Sequence, residues 1–297
     1  MYKQSQNNTK REYYVLQPDF SKRDLTNKFP SYIQEIHALT IRLLKQSLRR
    51  PSLIVTGIIQ PLLWLTLFGA LFQNAPIQLF TYGQKYGDFV SSGIIVFTAF
   101  TSALNSGLPM MFDREFGFFN RILSSSIYSR YSIIIASSIN IMLSSCIQIL
   151  FIIFTIYMLG YSINKTPNYM IITIILFLLS NSVTSISLVL AFILPGHIEL
   201  LACIVMLNLP LLFSSTALAP LVFMPSWLQI IASLNPLTYA IETIRYTYLN
   251  ILILPDSTII TTIWGDINFK DIILILLSTN AAVILLSHQL IAHKFED

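Results

Sequence analysis

Residues 169–195 read YMIITIILFLLSNSVTSISLVLAFILP, 27 residues without one charged side chain. A helix crossing the roughly 30 Å hydrocarbon core of a bilayer needs about 20 mostly apolar residues, so this stretch is long enough to span. Its Ile and Val content would also suit strands. The apolar residues run continuously rather than alternating, however, and far exceed the roughly 10 residues of a barrel strand. Five further stretches pass the same test, at about 52–73, 89–112, 131–160, 198–222 and 271–292. The expectation is an all-α membrane protein with six transmembrane helices.

Composition agrees. The 297 residues are 54% apolar and only 11% charged, against roughly 25% charged in an ordinary globular domain. With 18 Lys+Arg and 14 Asp+Glu, and a mean hydropathy of +0.67, the chain cannot coat a soluble sphere with charge. That excludes an ordinary soluble enzyme. The apolar content excludes disorder, and two cysteines, Cys146 and Cys203, both in apolar runs, exclude a disulfide scaffold.

Orientation follows from the basic residues. With six spans both termini share a side with the loop 113–130. That side carries 14 of the 18 Lys+Arg and the other carries four, namely Lys85, Lys165, Arg245 and Lys270. The positive-inside bias puts both termini on the cytoplasm-equivalent side. Ten of the basic residues precede residue 51, so the pI near 9.0 reflects a basic N-terminal segment and not nucleic-acid binding. Residues 1–30 are polar and read as a flexible tail, with no apolar core of signal-peptide type.

Residues 31–50 read as a helix that does not span. Ile33, Ile36, Leu39, Ile41, Leu43, Leu44 and Leu48 share one arc, Glu35, Arg42, Lys45, Gln46 and Arg49 the other, and Pro51 marks the end. A basic amphipathic helix just before a span reads as interfacial; a solvated helix that only supplies inside charge is the alternative. On the outer side, 223–250 is too apolar for an exposed loop. Two short helices broken at Asn235-Pro236, dipping into the outer leaflet and packed on the bundle, resolve that. Within it Glu242 and Arg245 lie three residues apart and are expected to pair or to reach the headgroups, simple snorkelling being the alternative.

Chemistry-bearing motifs are missing. The chain has no G-x-x-x-x-G-K-[ST] and no H-E-x-x-H, and His37, His197, His288 and His293 lie on separate elements. No catalytic, cofactor-binding or metal-binding residue is expected. Gly83 and Gly87 read as loop glycines. Acidic residues (Asp113, Glu115, Glu242, Asp266, Asp271) avoid the span centres, whereas a proton-coupled carrier would keep one there. Asn105, Asn140, Gln148, Asn181 and Asn208 fall inside spans. They read either as interhelical hydrogen-bond partners, worth about 0.6 kcal/mol each, or as the lining of a polar path.

Two segments carry more. The inner loop 113–130 opens Asp113-Arg114-Glu115-Phe116-Gly117-Phe118-Phe119-Asn120-Arg121. The outer segment contains Pro225, Trp227, Asn235, Pro236, Tyr239, Glu242 and Arg245. With the amphipathic helix and six spans (residues 51–297), they resemble the permease subunit of ABC-2 type exporters, of the cyanobacterial and plastid-genome kind. The resemblance implies an export half-transporter. Its inner loop docks on a separate ABC ATPase, where ATP and Mg act, its outer helices are re-entrant, and two permeases form a dimer in the lipid. Ser126, where the family often has Pro, and Asn120, where Glu is frequent, depart from the pattern.

Charges around exposed aromatics match a protein–protein contact. Under that reading Gly117 allows a close turn, the Phe residues fill a cleft on the ATPase, and Asp113, Glu115 and Arg121 border them, Glu115 and Arg121 fixing register. The alternative has the aromatics in the interfacial belt and the charges setting topology only. Rival functions are a haem or cytochrome-assembly permease, an ATP-independent translocase or assembly factor, and an intramembrane enzyme. A plastid membrane is favoured, with a bacterial inner membrane as the alternative. The substrate stays open, because fold does not specify cargo.

Overall fold

Small and hydroxylated side chains let helices approach closely in a membrane, where lipid tails compete with apolar side chains for contact. The helix richest in them takes the centre of this bundle. In the computed structural model, which describes residues 28–49, 51–74, 76, 85–118, 131–161, 168–249 and 255–294, that helix is α3 (Tyr86–Leu104), and all its residues except Asp88 are buried. Its hydroxyls are satisfied within the helix, as where Thr98 and Ser92 donate to the carbonyls of Ile94 (2.7 Å) and Phe89 (2.9 Å). Gly93 brings α3 against the backbone of Ala217; a Cβ there would sit 2.6 Å from the Ala217 oxygen.

The remaining helices surround it: α1 (Lys28–Arg49), α2 (Pro51–Leu71), α4 (Gly107–Glu115), α5 (Tyr131–Met158), α6 (Tyr169–Ile193), α7 (His197–Phe213), α8 (Ser226–Leu234), α9 (Pro236–Leu249) and α10 (Phe269–Lys294). α2, α5, α6 and α9 pack on α3, α10 lies along α6, and α1 lies along α5. α5 and α10 leave one face bare: Leu143, Ile147, Leu150, Phe154, Leu274, Leu277 and Leu285 are exposed. A helix that is apolar on both its buried and its bare face suits a lipid boundary. Along α1 the exposed apolar residues Ile33, Ile41 and Leu48 form a stripe beside the face packed on α5.

Four stretches among the described residues are long and apolar enough to cross a membrane: Tyr86–Glu115, Ile135–Met158, Tyr169–Ile193 and Phe269–Ser287. Val55–Leu71 and His197–Phe213 are shorter apolar helices. The run expected to continue as helix to 222 therefore stops at Phe213. The physical reason lies in what takes its last carbonyls. Asn235 donates from Nδ2 to the Leu211 (3.0 Å) and Ser214 (3.3 Å) oxygens, so a helix terminus inside the bundle is satisfied without another turn.

The expected span 89–112 is two helices. α3 ends at Asn105-Ser106 and α4 starts at Gly107. Ser187 of α6 bridges the break, donating to the Leu104 carbonyl (2.5 Å) and accepting from the Gly107 amide (2.9 Å). A Cβ on Gly107 would meet the Ser187 carbonyl. Backbone broken at membrane depth is tolerated only where protein satisfies it, and here one hydroxyl serves both ends.

The all-α expectation needs one correction. β1 (Thr258–Thr262) and β2 (Gly265–Asn268) form an antiparallel hairpin before α10. Its run Thr258-Ile259-Ile260-Thr261-Thr262 is entirely β-branched, and Gly265 takes a φ of 119° after the two-residue loop. Ile259 and Ile260 are buried in the core that includes α9. A second correction concerns Gly87, which lies in the first turn of α3 and leaves no room for a Cβ beside the Tyr161 ring. The tail up to residue 27 and the inner loop from Phe119 to Arg130, with Asn120, Arg121 and Ser126, lie outside the described residues.

The Ser187 bridge predicts its own test. Ser187→Ala leaves two buried backbone groups without their partner, a cost of about 1–3 kcal/mol. The variant's unfolding midpoint in detergent is expected to fall clearly below that of Ser180→Ala, whose hydroxyl only back-bonds its own helix. Equal midpoints would remove Ser187 as the support of the break.

Candidate functional site

Among the described residues three places gather polar side chains: the C-terminal end of α4, a cavity beside the α3–α4 break, and the turn that meets α9. At the end of α4, consecutive residues point to different helices, because neighbours on a helix lie about 100° apart. Asp113, 8% exposed, accepts from Arg42 of α1. Arg114 forks across the C-terminal end of α6, donating to the carbonyls of Ala191 (2.9 Å), Phe192 (2.7 Å), Leu194 and Pro195 (3.1 Å). A guanidinium there supplies donors and positive charge where the helix has orphan carbonyls and a negative dipole end. Glu115 meets Nδ1 of His197, the first residue of α7, at 2.6 Å.

The two carboxylates differ. Asp113 is buried and fastens α4 to α1, whereas Glu115 stays exposed beside Phe116 while it meets His197 of α7. The aromatics do face outward. Phe116 is 74% exposed, and its ring stacks on Phe112 at 6.2 Å. Phe118 is 45% exposed with the Arg42 guanidinium 4.7 Å above its ring. Between them Gly117 takes a left-handed φ of 71° with open space around it, which places the two rings on successive arms of one turn. Arg42 and His197 were not candidates from the sequence. Spacing gave no signal for them, since they are 71 and 82 residues from their partners.

The cavity holds about 400 Å³ and lies among α2, α5, α7 and the α3–α4 break. Four of the five in-span carboxamides, Asn105, Asn140, Gln148 and Asn208, line it together with Gln60 and several hydroxyls. Among the described residues no charged side chain is in its wall. The fifth, Asn181, instead bonds Asn280 of α10 at 3.1 Å, and Asn280 bonds the Leu178 carbonyl at 3.0 Å. One carboxamide is therefore interhelical glue and four are lining. Among the described residues the side-chain oxygens of Asn140, Gln148 and Asn208 have no hydrogen-bond partner, although these residues are only 3%, 4% and 7% exposed.

At the opposite end, α8 and α9 meet at Asn235. Its Oδ1 accepts from the Leu237 amide (3.0 Å), capping α9, while Pro236 supplies a preset first turn. Tyr239 donates to the Ser233 carbonyl at 2.5 Å, tying the two helices. Arg245 is fully buried. It pairs with Glu242, donates to the carbonyls of Thr216 (2.8 Å) and Phe89 (3.3 Å), and stacks 3.6 Å from the centroid of the Phe89 ring. Far from snorkelling outward, its charge joins α9, α3 and the turn after α7. Pro225 and Trp227 of the same segment are exposed.

The comparison with known proteins rests on the same elements. The sequence profile of the ABC-2 type transporter family matches residues 34–249, from α1 through α9. The chain belongs to the ABC-2 type transporter family. It is 56% identical over 254 residues to a protein of Porphyra purpurea named "Putative transport permease ycf38", covering 85% of this chain and 87% of that one. Proteins of the same name from Pyropia yezoensis and Cyanophora paradoxa are 55% and 47% identical, over 84% and 89% of this chain. The family membership makes this a multi-pass membrane permease of the ABC transporter class. The match ends with α9, before the β hairpin and α10.

Removing one partner of a buried ion pair costs about 3–5 kcal/mol, whereas an exposed pair is worth about 0–1 kcal/mol. Arg245→Met is therefore expected to lower the unfolding midpoint in detergent sharply. Lys270→Met, which breaks the exposed pair with Asp256, should leave it nearly unchanged. Similar midpoints for the two would show that Arg245 does not hold α9 on α3.

Proposed function

We propose that this chain is the membrane half of an ATP-driven exporter. It crosses the membrane six times, performs no chemistry of its own, and works as a dimer of permeases on a separate ABC ATPase. α2 and α7 are the two short spans, α1 lies in the inner interface with Ile33, Ile41 and Leu48 toward lipid, and α8 and α9 are re-entrant on the outer side. The membrane is that of a plastid, a reading supported by the algal relatives. The chain carries no P-loop motif, so its energy comes from the partner.

One observation supports this reading best. The inner end of α4 shows two aromatic rings, Phe116 and Phe118, while Asp113, Arg114 and Glu115 of the same helix grip α1, α6 and α7. A surface that docks a partner through an apolar centre, on a helix end locked to three others, passes a push from the partner to the bundle as one body. Loose aromatics in an interfacial belt would not need that triple fastening.

Two measurements test the proposal. Truncating a buried aromatic anchor costs about 2 kcal/mol or more. Phe116→Ala/Phe118→Ala should thus weaken ATPase binding about 30-fold, while Glu115→Gln keeps the ATPase bound but slows ATP-driven export. Full binding and export in both variants would return the loop to a topological role. For topology, in a Cys146→Ser/Cys203→Ser background, Lys22→Cys should be labelled only from the stromal side and Asp266→Cys only from the other. Labelling of both from one side rules out six spans.

A further inference from the structure

We propose that the groove between α1 and the turn after α4 binds the anionic headgroup of a membrane lipid, whose acyl chains lie on the bare stripe of α1. The site goes beyond the permease reading but rests on its placing of α1 at the membrane interface. An open groove of about 600 Å³ runs along α1, where Ile41, Arg42, Lys45 and Arg49 line it. The three cations are spaced i, i+3 and i+7, so they share one face over about 10 Å of helix. Asp113 and Phe118 wall the other side.

The state of its charges sets this groove apart. Arg42 is held in place, donating to Asp113 with its guanidinium 4.7 Å from the centroid of the Phe118 ring. It keeps further N–H donors, since a guanidinium carries five. Lys45 and Arg49 are exposed and have no ion-pair partner among the described residues. Other cations of this chain are taken up, Arg114 by four carbonyls, Arg245 by Glu242 and Lys270 by Asp256. Glu35, two turns before Arg42, accepts from Ser132 at 2.6 Å and is not in the groove lining. Asp113 offsets one of the three positive charges, and two are left for a ligand.

A row of guanidinium and ammonium donors selects an oxyanion, a phosphate diester or a sulfonate. The neighbouring surface ties that anion to a lipid. Ile41 and Leu48 are exposed and, at 100° per residue, lie directly beside Lys45 on the helix. A helix with adjoining apolar and basic stripes rests with the first among acyl chains and the second at headgroup level. A soluble anion would gain nothing from Ile41 and Leu48. A zwitterionic lipid would bring its own ammonium against the three cations.

The test is native mass spectrometry of the full chain titrated with phosphatidylglycerol, phosphatidylcholine or glycerophosphoglycerol, the last being the same headgroup without chains. One phosphatidylglycerol should bind at least tenfold more tightly than phosphatidylcholine, and glycerophosphoglycerol should not bind. Each basic residue beside anionic lipid is worth about fivefold, so Lys45→Gln/Arg49→Gln should weaken the site about 30-fold. Lys10→Gln/Arg11→Gln removes the same charge from the N-terminal segment and should leave it unchanged. The proposal is overturned if the two lipids bind alike, if the headgroup binds as well without its chains, if the Lys45/Arg49 variant keeps the site, or if the Lys10/Arg11 variant loses as much. In a Cys146→Ser/Cys203→Ser background, Ile41→Cys carrying an environment-sensitive dye reads separately where α1 lies in nanodiscs. A dye in lipid, with no preference for phosphatidylglycerol, overturns the headgroup site alone. A dye in water overturns the interfacial α1 with it.

Discussion

Inside a bilayer no water is available to a bare amide or carbonyl, and this structure depends on meeting that condition at each place where a helix stops early. The break between α3 and α4 is met by one serine hydroxyl from α6. The early end of α7 is met by the Asn235 amide and by Arg245 reaching the Thr216 carbonyl. The end of α6 is met by the Arg114 fork. Each of these is a side chain from another element. Each of these three irregularities in the backbone is thereby also a joint between helices.

The joints fall into two groups. At one end, Arg245, Glu242, Asn235 and Tyr239 weld α8 and α9 to α3 and to the turn after α7. Such a buried charge is weak evidence for stability, but it constrains α9, because a slip of the helix leaves the charge unpaired. At the C-terminal end of α4, Asp113, Arg114 and Glu115 clamp that helix to three others. Between the two welds lies the cavity, whose carboxamides are the polar groups left over after the joints are made. α4 touches both levels: Leu108 and Pro109 line the cavity, and about one and a half turns further on the same helix carries the clamp.

The apolar runs and their length were enough to read a helical membrane bundle, and the placing of apolar and charged residues to read an amphipathic α1. Those features depend on local periodicity and on transfer from water to hydrocarbon, which act residue by residue. Glu242 and Arg245 could be paired in advance for the same reason, being neighbours on a helix. The β hairpin of Thr258–Thr262 and Gly265–Asn268 was missed although its β-branched run is visible, since the apolar surroundings drew the reading toward loop and helix.

What only the tertiary structure decided is the use of each polar residue. Asn181 and Asn208 look alike in sequence, yet one is bonded to Asn280 and the other faces a cavity. Asp113 and Glu115 are both carboxylates of one short helix, yet Arg42, 71 residues away, holds Asp113 buried, while Glu115 meets His197, 82 residues away, and stays exposed. Sequence specifies how much hydrogen-bonding capacity each helix carries, because that is a property of its own side chains. Whether the capacity is spent on a neighbour or left toward a cavity depends on which helices come within about 3 Å of one another, and that is settled by packing across the whole chain.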